Sequence, residues 1–240
     1  MFRNAYKRVD MKVLIIGAGG GLGKALVAHY HKAGHHVQAL SRQVSSLPEV
    51  SWLQVEDYSA AQLQAVLPQL QQPDVVISTL GVLHNDHFMP EKRLADVNLE
   101  QLHESFRVNA VMPILLLQQL LGLLPKKSKC VWAQLSAKVG SISDNYRGGW
   151  YSYRASKAAL NMLLKTAAVE LKRTHKQLCI AAIHPGTTDT TLSEPFQQRL
   201  AADKLYTPAQ SAQRIAAVIE QLHAENSGGF WHWDGSPLTY

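Results

Sequence analysis

Cysteine is scarce: Cys130 and Cys179 are the only two in 240 residues. Both fall in short apolar segments, so no disulfide framework or zinc-ligand spacing can be built from them. They fit reduced core residues of a cytoplasmic protein. Long hydrophobic runs are also missing. The longest, residues 114–124, is interrupted by Gln118, Gln119 and Gly122 and is too short to span a bilayer. Residues 1–10 are polar and lack the apolar centre of a signal peptide. Met11 stands just before the first apolar run, so residues 1–10 are expected to be an N-terminal extension or the product of an upstream start-codon assignment. Charge of one sign is nowhere concentrated. The net charge is +6, and the densest basic run is Lys126, Lys127 and Lys129, which suits a solvated loop better than a nucleic-acid stripe. Neither a nucleic-acid nor a membrane partner is expected. Histidine is plentiful at eleven, but His29, His31, His35 and His36 crowd a helix-to-strand turn without carboxylates, so no metal site is expected.

What is present is an alternation. Short apolar, β-branched runs at 12–16, 37–40, 52–55, 74–78, 130–135, 178–183 and 229–233 predict strands. Helical patterns at 22–33, 60–70, 99–124, 151–172 and 208–223 separate most of them, with a kink expected at Pro113. Strand–helix alternation implies parallel crossovers, and near-continuous apolar strands imply a sheet covered on both faces. The predicted fold is α/β: one doubly wound, Rossmann-type domain over residues 11–240, with a mostly parallel sheet of about seven strands.

Two local patterns carry chemistry. Gly17-Ala18-Gly19-Gly20-Gly21-Leu22-Gly23 lies between the first strand and the first helix. Glycines there let a pyrophosphate approach the backbone, and the helix N-terminus offers unpaired N–H groups. Tyr153 and Lys157 stand four residues apart in a helical pattern and so share a face. A neighbouring ammonium is expected to lower the phenol pKa and make Tyr153 usable in acid–base chemistry. After the second strand come Ser41 and Arg42 rather than the carboxylate that favours a ribose 2′-hydroxyl. A hydroxyl and a guanidinium suit a 2′-phosphate. NADP(H) is therefore the expected cofactor, with NAD(H) possible.

The glycine turn, Asn109 within Arg107-Val108-Asn109, a serine-bearing strand end, the Tyr153/Lys157 pair and Pro185-Gly186 follow one another in the order of the short-chain dehydrogenase/reductase family. The chain resembles that family along nearly its whole length. The stretches Gly140-Ser141-Ile142-Ser143-Asp144-Asn145 and Gly148-Gly149-Trp150-Tyr151-Ser152-Tyr153 are similar to its carbonyl-reductase-like subgroup of sniffer-like and C-factor-like proteins.

The resemblance implies hydride transfer between a nicotinamide and a small carbonyl or alcohol substrate. Tyr153 is then the acid/base, Lys157 its electrostatic partner and holder of the ribose, and Asn109 the anchor of a water-linked proton relay. It places Gly17, Gly19, Gly20, Gly21, Leu22 and Gly23 on the phosphates, Asp57 and Tyr58 at the adenine, and Leu80 and Gly81 behind the cofactor. Pro185, Gly186, Thr187 and Thr190 would run along the nicotinamide. The family's substrate serine corresponds to Ala137 here; Ser136 is the nearest hydroxyl, with Ser141 and Ser143 as other donors. Ser78-Thr79-Leu80-Gly81 keeps the glycine of the family pattern but not its asparagines. Residues 192–206 are expected to form an apolar lid containing Leu192, Pro195, Phe196 and Leu205. Pairing into a homodimer or homotetramer through Leu115, Leu116, Leu160, Leu163 and Leu164 is expected. A weakly active or non-catalytic signalling or regulatory protein on the same fold remains the alternative.

Overall fold

The computed structural model describes residues 10–43 and 47–240, so the expected extension lies outside it except for Asp10. The chain runs β1 (Lys12–Ile16), α1 (Gly21–Lys32), β2 (His36–Ser41), β3 (Ser51–Gln54), α2 (Ala60–Val66), β4 (Val75–Ser78), α3 (Leu99–Phe106), α4 (Met112–Leu120), β5 (Cys130–Leu135), α5 (Tyr151–Leu171) and β6 (Leu178–His184). A two-residue pair, β7 (Thr187–Thr188) and β8 (Leu205–Tyr206), precedes α6 (Pro208–Gln221) and β9 (Gly229–His232). Seven strands form one sheet in the order β3-β2-β1-β4-β5-β6-β9, and every pairing is parallel. The order reverses between β1 and β4, which opens a crevice at the carboxyl ends of these strands.

Alternation along each strand builds a core on each face. Leu14 and Ile16 of β1 join Trp132 of β5 and Leu116, Leu160 and Leu164 under α4 and α5. Val13 and Ile15 join Leu26, Val27 and Ile215 under α1 and α6. Cys130 and Cys179 are buried, one in each core, and burial pushes both thiols up to about 12.

The bend expected at Pro113 falls earlier, as a π-helical turn at Arg107–Val111 between α3 and α4. Proline has no N–H to return to the carbonyl four residues back, here Asn109. The widened turn accommodates that loss, and Pro113 occupies the first turn of α4. Residues Leu99–Leu123 are long and apolar enough to cross a membrane by length and composition, but Leu116, Leu117 and Leu120 are buried in the core. Of the five leucines expected on a pairing face, Leu116, Leu160 and Leu164 are also core. Leu163 is half-buried and only Leu115, at 48%, is exposed. Helical periodicity marks an apolar stripe without saying what covers it.

Candidate active site

A cleft of about 1000 Å³ occupies the carboxyl ends of β1, β4, β5 and β6. One end is the turn after β1. Gly17 has φ +80°, and its N–H bonds the Leu40 carbonyl. A Cβ on Gly17 would meet Thr79 Oγ1 at 2.5 Å, and one on Gly23 would collide with the Gly17 carbonyl and lie 2.9 Å from Ala18 Cα. Glycine at both positions therefore follows from close backbone approach. Helix α1 starts with no capping side chain and no acidic residue in its first turn. Its orphan N–H groups face the cleft lined by Gly20, Gly21, Leu22 and Gly23. That cradle suits a pyrophosphate. Gly19 lies against Ser41, behind the cleft wall. Thr79 explains how β4 manages without the family's asparagines. Its hydroxyl donates to the Ile16 and Gly17 carbonyls at 3.2 and 3.0 Å, tying the end of β4 to the cradle beside Leu80 and Gly81.

At the end of β2 the two predicted phosphate ligands diverge. Arg42 lines the cleft. Ser41 is buried and its hydroxyl donates to the Gln43 carbonyl, so it shapes the turn instead of facing the cleft. Asp57 is exposed outside the wall, where its carboxylate accepts from the Ser59 N–H at 2.9 Å. Those hydrogen bonds hold its pKa below the ordinary value. Tyr58 packs beneath the cradle, with its hydroxyl at the Gly17 backbone, and burial raises its pKa. The sequence placed these residues by order along the chain, which does not fix side-chain direction.

Tyr153 and Lys157 meet at the centre. Both are buried on α5, and Lys157 Nζ lies 5.8 Å from the Tyr153 ring centroid. The ammonium donates to the Leu135 carbonyl at 3.2 Å. Spacing predicts a lowered tyrosine pKa, but the structure has the opposite direction. Burial raises Tyr153 and lowers Lys157 to about 8. Desolvation disfavours each charged form, and a cation over the ring face offsets little of it. At neutral pH the pair is a neutral phenol beside a lysine that is still mostly protonated.

Asn109 reaches neither Tyr153 nor Lys157 directly. Its Oδ1 accepts from the Val82 N–H at 2.8 Å, and its Nδ2 donates to the Val82 carbonyl at 2.8 Å and Ser156 Oγ at 3.0 Å. Its side chain clamps the loop after β4 to α5. Ser136 lines the cleft, but its hydroxyl donates to Asn161 Oδ1 at 2.7 Å. Ala137 is the residue that packs with Leu83 and Tyr153. Ser141 accepts from the Asp144 N–H and Ser143 donates to the Tyr240 carbonyl, and neither is among the residues lining the cleft.

Pro185, Gly186, Thr187 and Thr190 line the far wall. A Cβ on Gly21 would approach Thr190 Cγ2 at 2.9 Å, so this loop touches the cradle. Leu192, Pro195 and Phe196 of the expected lid line the cleft, whereas Leu205 pairs with Thr187 in the small sheet. Trp150 and His184 complete the wall. Trp150 holds φ +53°, with its ring 5.0 Å from Phe196 and 6.1 Å from Tyr153. Of the aromatic pair Trp150-Tyr151 beside the catalytic turn, Trp150 lines the cleft and Tyr151 does not. His184, beside Pro185-Gly186, is held down to about 3 by burial, then by His232 and Lys138. It is a neutral imidazole.

A doubly wound sheet, a glycine cradle at its switch point and a buried Tyr/Lys pair in the same crevice define a nucleotide-binding oxidoreductase architecture. A family model described as short chain dehydrogenase matches residues 11–201. The chain belongs to the short-chain dehydrogenase family. It is 26% identical over 232 residues to the 1-hydroxy-2-glutathionyl-2-methyl-3-butene dehydrogenase of Rhodococcus sp. (strain AD45), covering 95% of this chain and 99% of that protein. It is 28% identical over 147 residues to the C-signal of Myxococcus xanthus, covering 61% and 83% respectively. The carbonyl reductase Sniffer of D. melanogaster has the same fold, with TM-score 0.79 and 23% identity over 97% of this chain and all of that one (100%). So does the NADPH-bound carbonyl reductase from chicken fatty liver, with TM-score 0.81 and 24% identity over 96% and 99%.

Proposed function

We propose that this protein is an NADP(H)-dependent carbonyl reductase, working as an alcohol dehydrogenase in the reverse direction. The observation that carries the proposal is the buried Tyr153/Lys157 pair beside the glycine cradle in one cleft. The cradle leaves no room for a Cβ at Gly23 and presents an uncapped helix end, so these residues fit a dinucleotide pyrophosphate. Gly20, Gly21, Gly23 and Thr190 would hold the phosphates and Arg42 a 2′-phosphate, as Pro185, Gly186 and Thr187 flank the ring. The bound nicotinamide supplies the hydride.

The protein's own part is proton transfer and orientation. Tyr153 keeps its proton because burial raises its pKa, so it is poised to donate to a carbonyl oxygen as negative charge develops there. Lys157, fixed by the Leu135 carbonyl, stabilises the phenolate left behind. NADPH consumption across aldehydes, ketones and quinones, lost on Tyr153→Phe, is the test. Bound cofactor with no consumption would instead favour the regulatory reading, to which Ala137 lends some support because no hydroxyl stands at that position.

Arg42 carries the cofactor preference. Arg42→Gln is expected to weaken NADPH binding about tenfold, the worth of a charge-assisted hydrogen bond, and to leave NADH within twofold (about one exposed-pair interaction). Equal losses for both cofactors in a fluorescence titration would remove Arg42 from that role.

Ser136 supplies the second hydrogen bond to the substrate oxygen. Asn161 Nδ2 is buried without a partner among the described residues. Turning that amide over would let Nδ2 donate to Ser136 Oγ and release the hydroxyl proton toward the cleft. Ser136→Ala is expected to lower kcat about tenfold, one hydrogen bond's worth, with cofactor affinity preserved. Unchanged kcat would assign Ser136 to packing.

A further inference from the structure

The substrate end of the cleft has a charge imbalance that the reaction itself does not need. Lys92, Lys138 and Arg147 line its wall with Leu83, Val139, Trp150 and Phe196. Among the described residues no aspartate or glutamate contributes to that wall. Four acidic residues lie within six positions of these cations, and one of them, Asp86, is exposed, off that wall and in no ion pair among the described residues. Asp144 pairs with Lys138 at 3.4 Å. Glu91, the neighbour of Lys92, is turned into the interior, where its carboxylate accepts from the Ser152 N–H at 3.2 Å and from the Ser152 hydroxyl. Asp96 is held by Arg93 at 2.8 Å. Lys92 and Arg147 therefore have no acidic partner among the described residues.

The backbone holds these two cations on adjoining segments. The Trp150 N–H donates to the Glu91 carbonyl at 2.5 Å, and a Cβ on Gly149 would lie 3.6 Å from the Lys92 carbonyl. Gly148, Gly149 and Trp150 all have left-handed φ, at +64°, +64° and +53°. The two glycines take this conformation freely, and Trp150 alone carries its cost. Arg154 braces the turn by donating to the Gly149 carbonyl at 3.0 Å. The turn places Arg147 and the Trp150 ring on the same cleft wall as Tyr153.

We propose that the substrate is a carbonyl compound with a flat apolar body and a carboxylate. Its body lies against Trp150 and Phe196, and its carboxylate meets Lys92 and Arg147 at the mouth. The inference rests on the carbonyl-reductase reading of the same site. A low-dielectric cleft with one sign of charge attracts the opposite sign and focuses it toward the reacting centre. Arginine suits a carboxylate because its planar fork can donate to both oxygens.

The test compares 4-carboxybenzaldehyde with its methyl ester, which share ring and aldehyde and differ by one charge. Two exposed ion pairs predict that kcat/KM for the acid exceeds that for the ester by about three- to tenfold. The ratio should fall toward one in the Lys92→Gln/Arg147→Gln double variant and at high salt. The Lys126→Gln/Lys127→Gln variant, with the same loss of charge on a distant exposed loop, should keep the parent ratio. Calorimetric binding of both compounds to the NADP⁺-loaded protein gives a readout without turnover. An ester bound as tightly as the acid overturns the proposal, and so does an equal drop in the control variant. Tighter binding of the acid with neither compound reduced under NADPH would keep the anion site and overturn the reductase reading.

Discussion

Tyr153→Phe is expected to lower kcat for carbonyl reduction about a thousandfold, within the range for loss of a positioned general acid. NADPH affinity should stay within about twofold, because the phenol hydroxyl adds at most one hydrogen bond to cofactor binding. The substitution keeps the ring that packs with Leu83, Ala137 and Trp150, so the fold should tolerate it. Stopped-flow consumption of NADPH, with a parallel binding titration, separates the two effects. Retention of more than a tenth of parental kcat would show that another group delivers the proton. The direction of the Tyr153 shift sharpens this prediction. A phenol raised by burial keeps its proton through neutral pH, which serves reduction. Oxidation needs the phenolate and is favoured only in alkaline solution.

Gly23→Ala should disable the cradle. The new methyl would collide with the Gly17 carbonyl and stand 2.9 Å from Ala18 Cα, both backbone atoms that no rotamer change can move. The first turn of α1 must shift away from β1, and a displacement of this size costs about a hundredfold in properly positioned binding. NADPH affinity is expected to fall by about that factor, with a stability loss of about 1–3 kcal/mol from overpacking. Thermal unfolding with and without NADPH measures both at once. Parental affinity in a folded Gly23→Ala protein would mean that phosphates do not bind at this turn.

Much of the architecture was legible along the chain. β1 and β5 begin and end where their apolar runs do, and α5 starts at Tyr151 as the helical pattern predicts. Strand period, helix period and glycine chemistry are local, so a single stretch of sequence carries them. The β7–β8 pair escaped because two residues per strand hold no period, and its partners lie far apart in the chain. The sequence points to Pro113 because proline is the visible breaker, whereas the widened turn lies at Arg107–Val111. The backbone took up the lost hydrogen bond in the turn before it.

By itself the sequence determined the doubly wound fold, the place of the glycine turn and the helical spacing of Tyr153 and Lys157. Tertiary structure alone decided which of the candidate groups face the cleft. Ser41 turns to Gln43 while Arg42 stays on the wall, and Ser136 turns to Asn161. It also reversed the expected direction for Tyr153, because a pKa answers to desolvation by neighbours such as Leu83, Ala137 and Phe196 as much as to a partner one helical turn away. And it left Lys92 and Arg147 lining one cleft, neither in an ion pair among the described residues, although their segments are more than fifty positions apart. Local spacing encodes a face; only packing sets the solvent, charge and orientation that the face meets.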